Sequence, residues 1–186
     1  MNEIIKIIQS RYSCRNFTDD KPLIEDLKRI LETSLYTPSG LNRQNWHITL
    51  LTNKDLIDQL DDEALKNIEL ASEETFKRIQ NRGAKVFYNA QTMFILSINP
   101  MQDLEDSLID LGILAQTITL SAESFGYQTL ICGLSVFAFK GSKAEDFKEL
   151  LNINPHNDIR LAILVGKSIV RKIPHTIDLS KISIIN

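Results

Sequence analysis

Isoleucines at positions 4, 5, 7 and 8 give residues 2–9 a helical apolar face. That period is lost over residues 10–18, which read as a loop. A second helix is predicted from Pro22, with Glu25 and Asp26 suited to its first turn. Its expected core face is Leu23, Leu27, Ile30, Leu31 and Leu35, and Pro38, Ser39 and Gly40 stop it. Trp46 to Leu51 reads as a strand, and residues 54–82 as polar and helix-prone. Met93 to Ile98 is a buried-strand pattern ended by Asn99 and Pro100. Residues 103–125 form the longest helical stretch, with small residues such as Gly112 and Ala115 among leucines and isoleucines. It is apolar around more than one face, which predicts a central position or a subunit interface. Gly126 fits its C-terminal cap. Thr129 to Cys132 follows as a short strand, 142–151 as a helix and Ile159 to Val165 as a strand. The tail from Lys167 has a turn signal at Pro174 and an apolar pair at Ile184 and Ile185. The order predicts an α+β fold with most helices outside or between a few strands, in one domain over 1–186.

Composition narrows the chemistry. The 186 residues are 43% hydrophobic and 24% charged, with net charge −3, which disfavours generic electrostatic binding to nucleic acid or anionic membrane. No apolar run approaches bilayer length, and Met1, Asn2 and Glu3 hold no basic residue ahead of the isoleucines, so a soluble cytoplasmic protein is expected. Cys14 and Cys132 stand too far apart in sequence to suggest a disulfide framework or, alone, a zinc site. The seven glycines make neither GxGxxG nor a Walker loop. The three histidines, His47, His156 and His175, form no HExxH motif and no tight cluster with carboxylates, and GxSxG is absent. An enzyme with this inventory leaves the difficult chemistry to an organic cofactor.

Four clusters could hold one. Arg11, Ser13 and Arg15 stand two apart, so in extended backbone they can converge on one side as a phosphate cradle; taken alone, a solvated basic loop is the plainer reading. Thr37 to Trp46 is dense in amides and hydroxyls, including Pro38, Ser39, Gly40, Asn42 and Gln44. Amides suit the edge of a flat heterocycle, although a Pro-Gly turn into a strand has similar composition. Ile131-Cys132-Gly133 ends a short strand, where glycine lets backbone approach a planar ligand; a routine strand-to-loop turn is the alternative. Arg171-Lys172 is a second cationic pair, or ordinary surface charge.

Taken in order, these pieces resemble the nitroreductase family of FMN-dependent oxidoreductases. The resemblance runs through Arg11-x-Ser13-x-Arg15-x-Phe17, Pro38-Ser39-Gly40-x-Asn42-x-Gln44-x-Trp46, the strand near Phe94, Asp110 to Gly126, Ile131-x-Gly133 and Arg171-Lys172-Ile173-Pro174. It implies a central, mainly antiparallel sheet flanked by helices, and an intimate homodimer with one FMN in each of two interface sites. It would place Arg11, Ser13 and one of Arg171 or Lys172 on the ribityl phosphate, and Arg15 at the pyrimidine edge of the flavin. Pro38, Ser39, Gly40 and Asn42 would come from the other subunit, and Ile131, Cys132 and Gly133 would line the ring. Tyr12 stands where many members have Arg or His, so one phosphate contact is missing or replaced by its hydroxyl. Cys132 is best read as a small packing residue. The implied chemistry is ping-pong hydride transfer from NADH or NADPH, through the flavin, to a small-molecule acceptor such as a nitroaromatic or quinone. No dedicated catalytic side chain is assigned, and the histidines fall outside the matched motifs. The same fold would also suit a dehalogenating, flavin-fragmenting or azoline-oxidising enzyme, or a non-catalytic flavin-binding redox sensor.

Overall fold

The most apolar strand organises the molecule. The computed structural model describes residues 2–172 and 176–185. Ile173, the turn expected at Pro174, and His175 lie outside the described residues. Strands β1 (His47–Leu51), β2 (Thr92–Ile98), β3 (Gln128–Cys132) and β4 (Asp158–Gly166) form one sheet in the order β1-β2-β4-β3, with every pair antiparallel. All seven residues of β2 are buried, and their alternation divides them between two cores. Met93 and Ile95 face one side with Ile57, Leu60, Ala64 and Ile68 of helix α3 (Lys54–Ala71). Phe94, Leu96 and Ile98 face the other, toward Leu27 and Ile30 of α2 (Ile24–Ser34) and Leu111, Leu114 and Ile118 of α5 (Leu104–Ser124). Each such side chain contributes about 1.5–3 kcal/mol on burial, so β2 anchors both layers. The antiparallel sheet flanked by helices is the predicted α+β architecture.

Helix α1 (Glu3–Ser10) packs on α5, and α4 (Glu73–Gln80) packs on α3. The polar stretch 54–82 is therefore two helices. Ser72, with φ −160°, breaks the run, and its hydroxyl accepts the Thr75 amide to cap α4. Helix α2 starts two residues after Pro22, because Leu23 is extended and donates its amide to the Tyr127 hydroxyl at 3.1 Å. Leu23 and Leu35, expected in the core, are 63% and 59% exposed. The inward stripe is Leu27, Ile30 and Ser34, and Ser34 returns its hydroxyl to the Leu31 carbonyl at 2.6 Å. Trp46 precedes β1 in a tight turn. Helix α6 (Ala144–Leu150) is shorter than expected, and a 3₁₀ segment over Gly133–Phe139 carries the chain out of β3.

Helix α5 is central, yet Leu108, Ile109 and Ile113 are exposed on its outer side. Ile4, Ile5 and Ile8 of α1 are exposed as well, as are Ile177, Leu179, Ile182, Ile184 and Ile185 of the tail. No helix among the described residues is long and apolar enough to cross a membrane.

Candidate active site

Residues 11–15 run as an extended strip beside β3. The Cys14 amide donates to the Thr129 carbonyl at 2.9 Å, and Ser13 forms an isolated parallel bridge with Thr129. Tyr12 and Cys14 point into the core, so Arg11, Ser13 and Arg15 face outward together, as spacing of two requires. The Tyr12 hydroxyl donates to the Val170 carbonyl at 2.6 Å. Its only proton is thus used on backbone, and it does not replace a phosphate-binding cation, since a phosphate needs donors. Burial raises the Tyr12 pKa above that of an ordinary phenol, which keeps that proton in place. The Ser168 amide donates to Gln128 of β3 at 2.9 Å. These two bonds tie residues 168–170 to the strip and the strand, and Arg171 and Lys172 emerge exposed just beyond. Three of the four sequence clusters therefore gather around β3.

An open cleft of about 200 Å³ lies at the end of that strand, lined by Ile131 to Leu134 on one side and by Arg15, Arg78, Arg82, Val86 and Tyr88 around it. Ile131 is 39% exposed despite its place in a strand. A methyl group built on Gly133 would meet nothing within 4 Å, so backbone is open to the cleft there. Cys132 is buried at the edge of the cleft, with Sγ 4.0 Å from the Val86 carbonyl. Burial pushes its thiol up to about 11, which favours the protonated form and suits a packing role. Buried Asp61 fixes the far wall by accepting the Phe87 amide at 2.6 Å and pairing with Lys85 at 3.3 Å. Burial raises the Asp61 pKa despite both partners. Burial alone would lower the Lys85 pKa, but the carboxylates of Asp61, Asp62 and Asp58 together outweigh it and raise it.

Arg78, Arg82 and Tyr88 were not among the residues expected from sequence. Arg78 and Arg82 stand four apart, a spacing that in a polar helix looks like ordinary solvated charge. The Arg82 guanidinium lies 4.6 Å from the centre of the Tyr88 ring. Among the described residues no carboxylate pairs with Arg11, Arg15, Arg78, Arg82, Arg171 or Lys172.

The amide-rich cluster lies elsewhere, fastened to the first half of α5. The Gly40 amide donates to both Asp110 carboxylate oxygens at 3.1 and 3.2 Å. Arg43 pairs with Asp103 at 3.3 Å and with Asp106 at 2.9 Å. The Asn45 side chain donates to Ser107 at 2.7 Å and to the Asn99 carbonyl at 3.0 Å. Leu41, Asn42 and Gln44 all have positive φ, so these side-chain bonds hold a backbone that costs energy to form. The Gln44 amide group donates to Asn42 at 2.9 Å, and the Gln44 backbone amide to Ser39 at 3.0 Å. Pro38, Asn42 and Gln44 are exposed, and Ser39 and Gly40 are half-buried. This loop leads into β1, whereas Ile131 to Gly133 end β3, at the opposite edge of the sheet. Three strand spacings of about 4.8 Å put roughly 14 Å between those edges. One chain does not bring the second cluster to the other three.

A family model described as "Nitroreductase family" matches residues 8–167. Among solved structures, a nitroreductase with bound FMN from Desulfitobacterium hafniense DCB-2 is 36% identical, with full coverage of both chains and a TM-score of 0.95. An FMN-dependent nitroreductase from Clostridium difficile R20291 is 25% identical over 99% of each chain, with a TM-score of 0.80. An oxygen-insensitive NADPH nitroreductase from Helicobacter acinonychis is 36% identical over 56 residues. The matched segments span 34% and 27% of the lengths of the curated relatives.

Proposed function

The chain belongs to the nitroreductase family, and on that footing we propose that it is a cytoplasmic FMN-dependent NAD(P)H oxidoreductase. Residues 1–186 would form a single FMN-binding domain that acts as a homodimer. The observation that carries this reading is the meeting, around one strand, of Arg11 and Arg15, which no carboxylate pairs among the described residues, with outward-facing Ser13 and open backbone at Gly133. That donor set fits a flavin mononucleotide. Arg11, Ser13 and one of Arg171 or Lys172 suit its phosphate, because fixed cations and a hydroxyl match phosphate oxygens. Arg15 suits the pyrimidine edge, where negative charge accumulates on reduction, and the uncluttered Gly133 backbone suits a flat ring.

When bound, FMN would supply the redox chemistry, ping-pong hydride transfer between NADH or NADPH and a nitroaromatic, quinone or similar acceptor. The protein's part is binding and electrostatics. Arg15, held by a strip pinned to β3, places a preorganised positive charge where negative charge accumulates. Tyr12 positions the 168–170 backbone and hence the cations that follow it.

The site is proposed to be shared. A cleft of about 200 Å³ is smaller than the roughly 300–1,000 Å³ typical of small-molecule sites. Pro38, Ser39, Gly40 and Asn42 of a second copy would complete it, because their own chain holds them at the far sheet edge. The exposed isoleucines and leucines of α1, α5 and the tail supply an apolar surface for that contact.

The test is an anaerobic absorption spectrum of the purified protein with and without NADH or NADPH. Visible flavin bands that bleach within seconds are expected. Bands that persist would instead favour a redox sensor or a specialised enzyme of the same fold. A colourless protein that FMN cannot reconstitute would overturn the reading.

A further inference from the structure

Resting on the flavin reading above, we propose that Arg78 and Arg82 form a second anion-recognition element, selecting redox partners that carry a carboxylate or phosphate. One cation, Arg15, suffices for the flavin edge, yet three guanidinium groups line the cleft. Arg78 lies in the last turn of α4 and Arg82 in the turn that follows, four residues on. Both are placed firmly, because Ser72 caps α4 and Ile79 between them is fully buried. The Arg82 guanidinium lies over the Tyr88 ring, a cation–π contact that leaves its N–H donors unused by the ring and available to an oxyanion.

Their neighbours show that pairing was available. Lys77 bonds to Glu73, and Lys85 lies against Asp58, Asp61 and Asp62. Arg78 and Arg82 have no such partner among the described residues, in a chain of net charge −3. Two exposed, unneutralised guanidinium groups on one side of an open cleft, one of them held over Tyr88, attract an anion with planar donors that lysines lack. The oxyanion could belong to the acceptor or to the 2′-phosphate of NADPH, since a ping-pong site receives both in turn.

Equilibrium binding to the oxidised holoenzyme tests this without electron transfer. 4-Nitrobenzoate is compared with neutral 4-nitrobenzamide, and NADP+ with NAD+, by flavin absorbance change and calorimetry, in wild type, Arg78→Gln and Arg82→Gln. The wild type should prefer at least one anionic member of these pairs by about 10-fold, with the preference weakened by salt. Each variant should reduce it to about 2-fold or less while keeping the visible flavin bands. Loss of the benzoate preference assigns the element to the acceptor, and loss of the NADP+ preference assigns it to the nucleotide. No anion preference in the wild type, or one that survives in both variants, overturns the proposal. Absence of flavin bands before any titration overturns the flavin reading itself, and this inference with it.

Discussion

Arg15 and Asp61 show how single charges work in this protein. Arg15 faces a cleft, and among the described residues no carboxylate pairs with it, so its field is available to a ligand. Arg15→Ala should weaken FMN binding about 10–100-fold, the equivalent of one lost charge-assisted hydrogen bond. It should also lower the flavin reduction potential, because the reduced, anionic form loses its cation; equilibrium dialysis and a redox titration check both. Asp61 is buried, and its raised pKa means that the folded state holds a proton over pH values where the unfolded chain has released it. Its contribution to stability therefore falls as pH rises from the ordinary carboxylate value through the folded pKa, and is restored on acidification. Asp61→Asn still accepts the Phe87 amide, so its melting temperature relative to wild type should rise from acidic to neutral pH. Thermal melts across that range would show the opposite trend if the Lys85 pair dominated. Cys132, with a thiol near 11, should resist iodoacetamide in the native protein at pH about 8 and react on unfolding, as read by mass spectrometry. At this scale the sequence was partly legible. Alternation of buried Tyr12 and Cys14 with outward Arg11, Ser13 and Arg15 follows from spacing alone. Arg78 and Arg82 could not be told from solvated charge, because the same helical spacing serves both.

Elements hold these residues where they act, and the 11–17 strip depends on close packing against the sheet. A methyl group on Gly166, at the end of β4, would come within 2.9 Å of the Phe17 ring. Gly166→Ala should cost about 1–3 kcal/mol in urea unfolding and loosen the strip, so flavin retention should fall with stability. Unchanged values for both would mean that the strip is not braced by β4. Strand β2 and helix α5 were plain in the sequence, because a mostly apolar run and a long apolar helix leave few alternatives. The break at Ser72 was not, since a serine within a polar helical run only shows itself as a cap once the chain turns there. The inward position of Ser34 was equally hidden, because its hydroxyl is satisfied by its own helix and no longer reads as polar.

At the scale of the whole molecule, the separation of the four clusters is the informative result. The strand order places the Pro38–Asn42 loop and the Ile131–Gly133 turn on opposite edges, an arrangement set by long-range pairing that local pattern does not encode. The expectation that two chains build the site rests on the resemblance of the motifs to a known family and on the apolar outer face of α5. The exposed Ile109 and Ile113 of α5 are the natural places to test that contact. The most direct measurement is sedimentation velocity of the flavin-loaded protein, followed both in the protein band and in the visible flavin band, for wild type and Ile113→Glu. The flavin should sediment with a dimer, and Ile113→Glu should yield a folded monomer that has lost its flavin. Flavin moving with a stable monomer of either protein would contradict a site built from two chains.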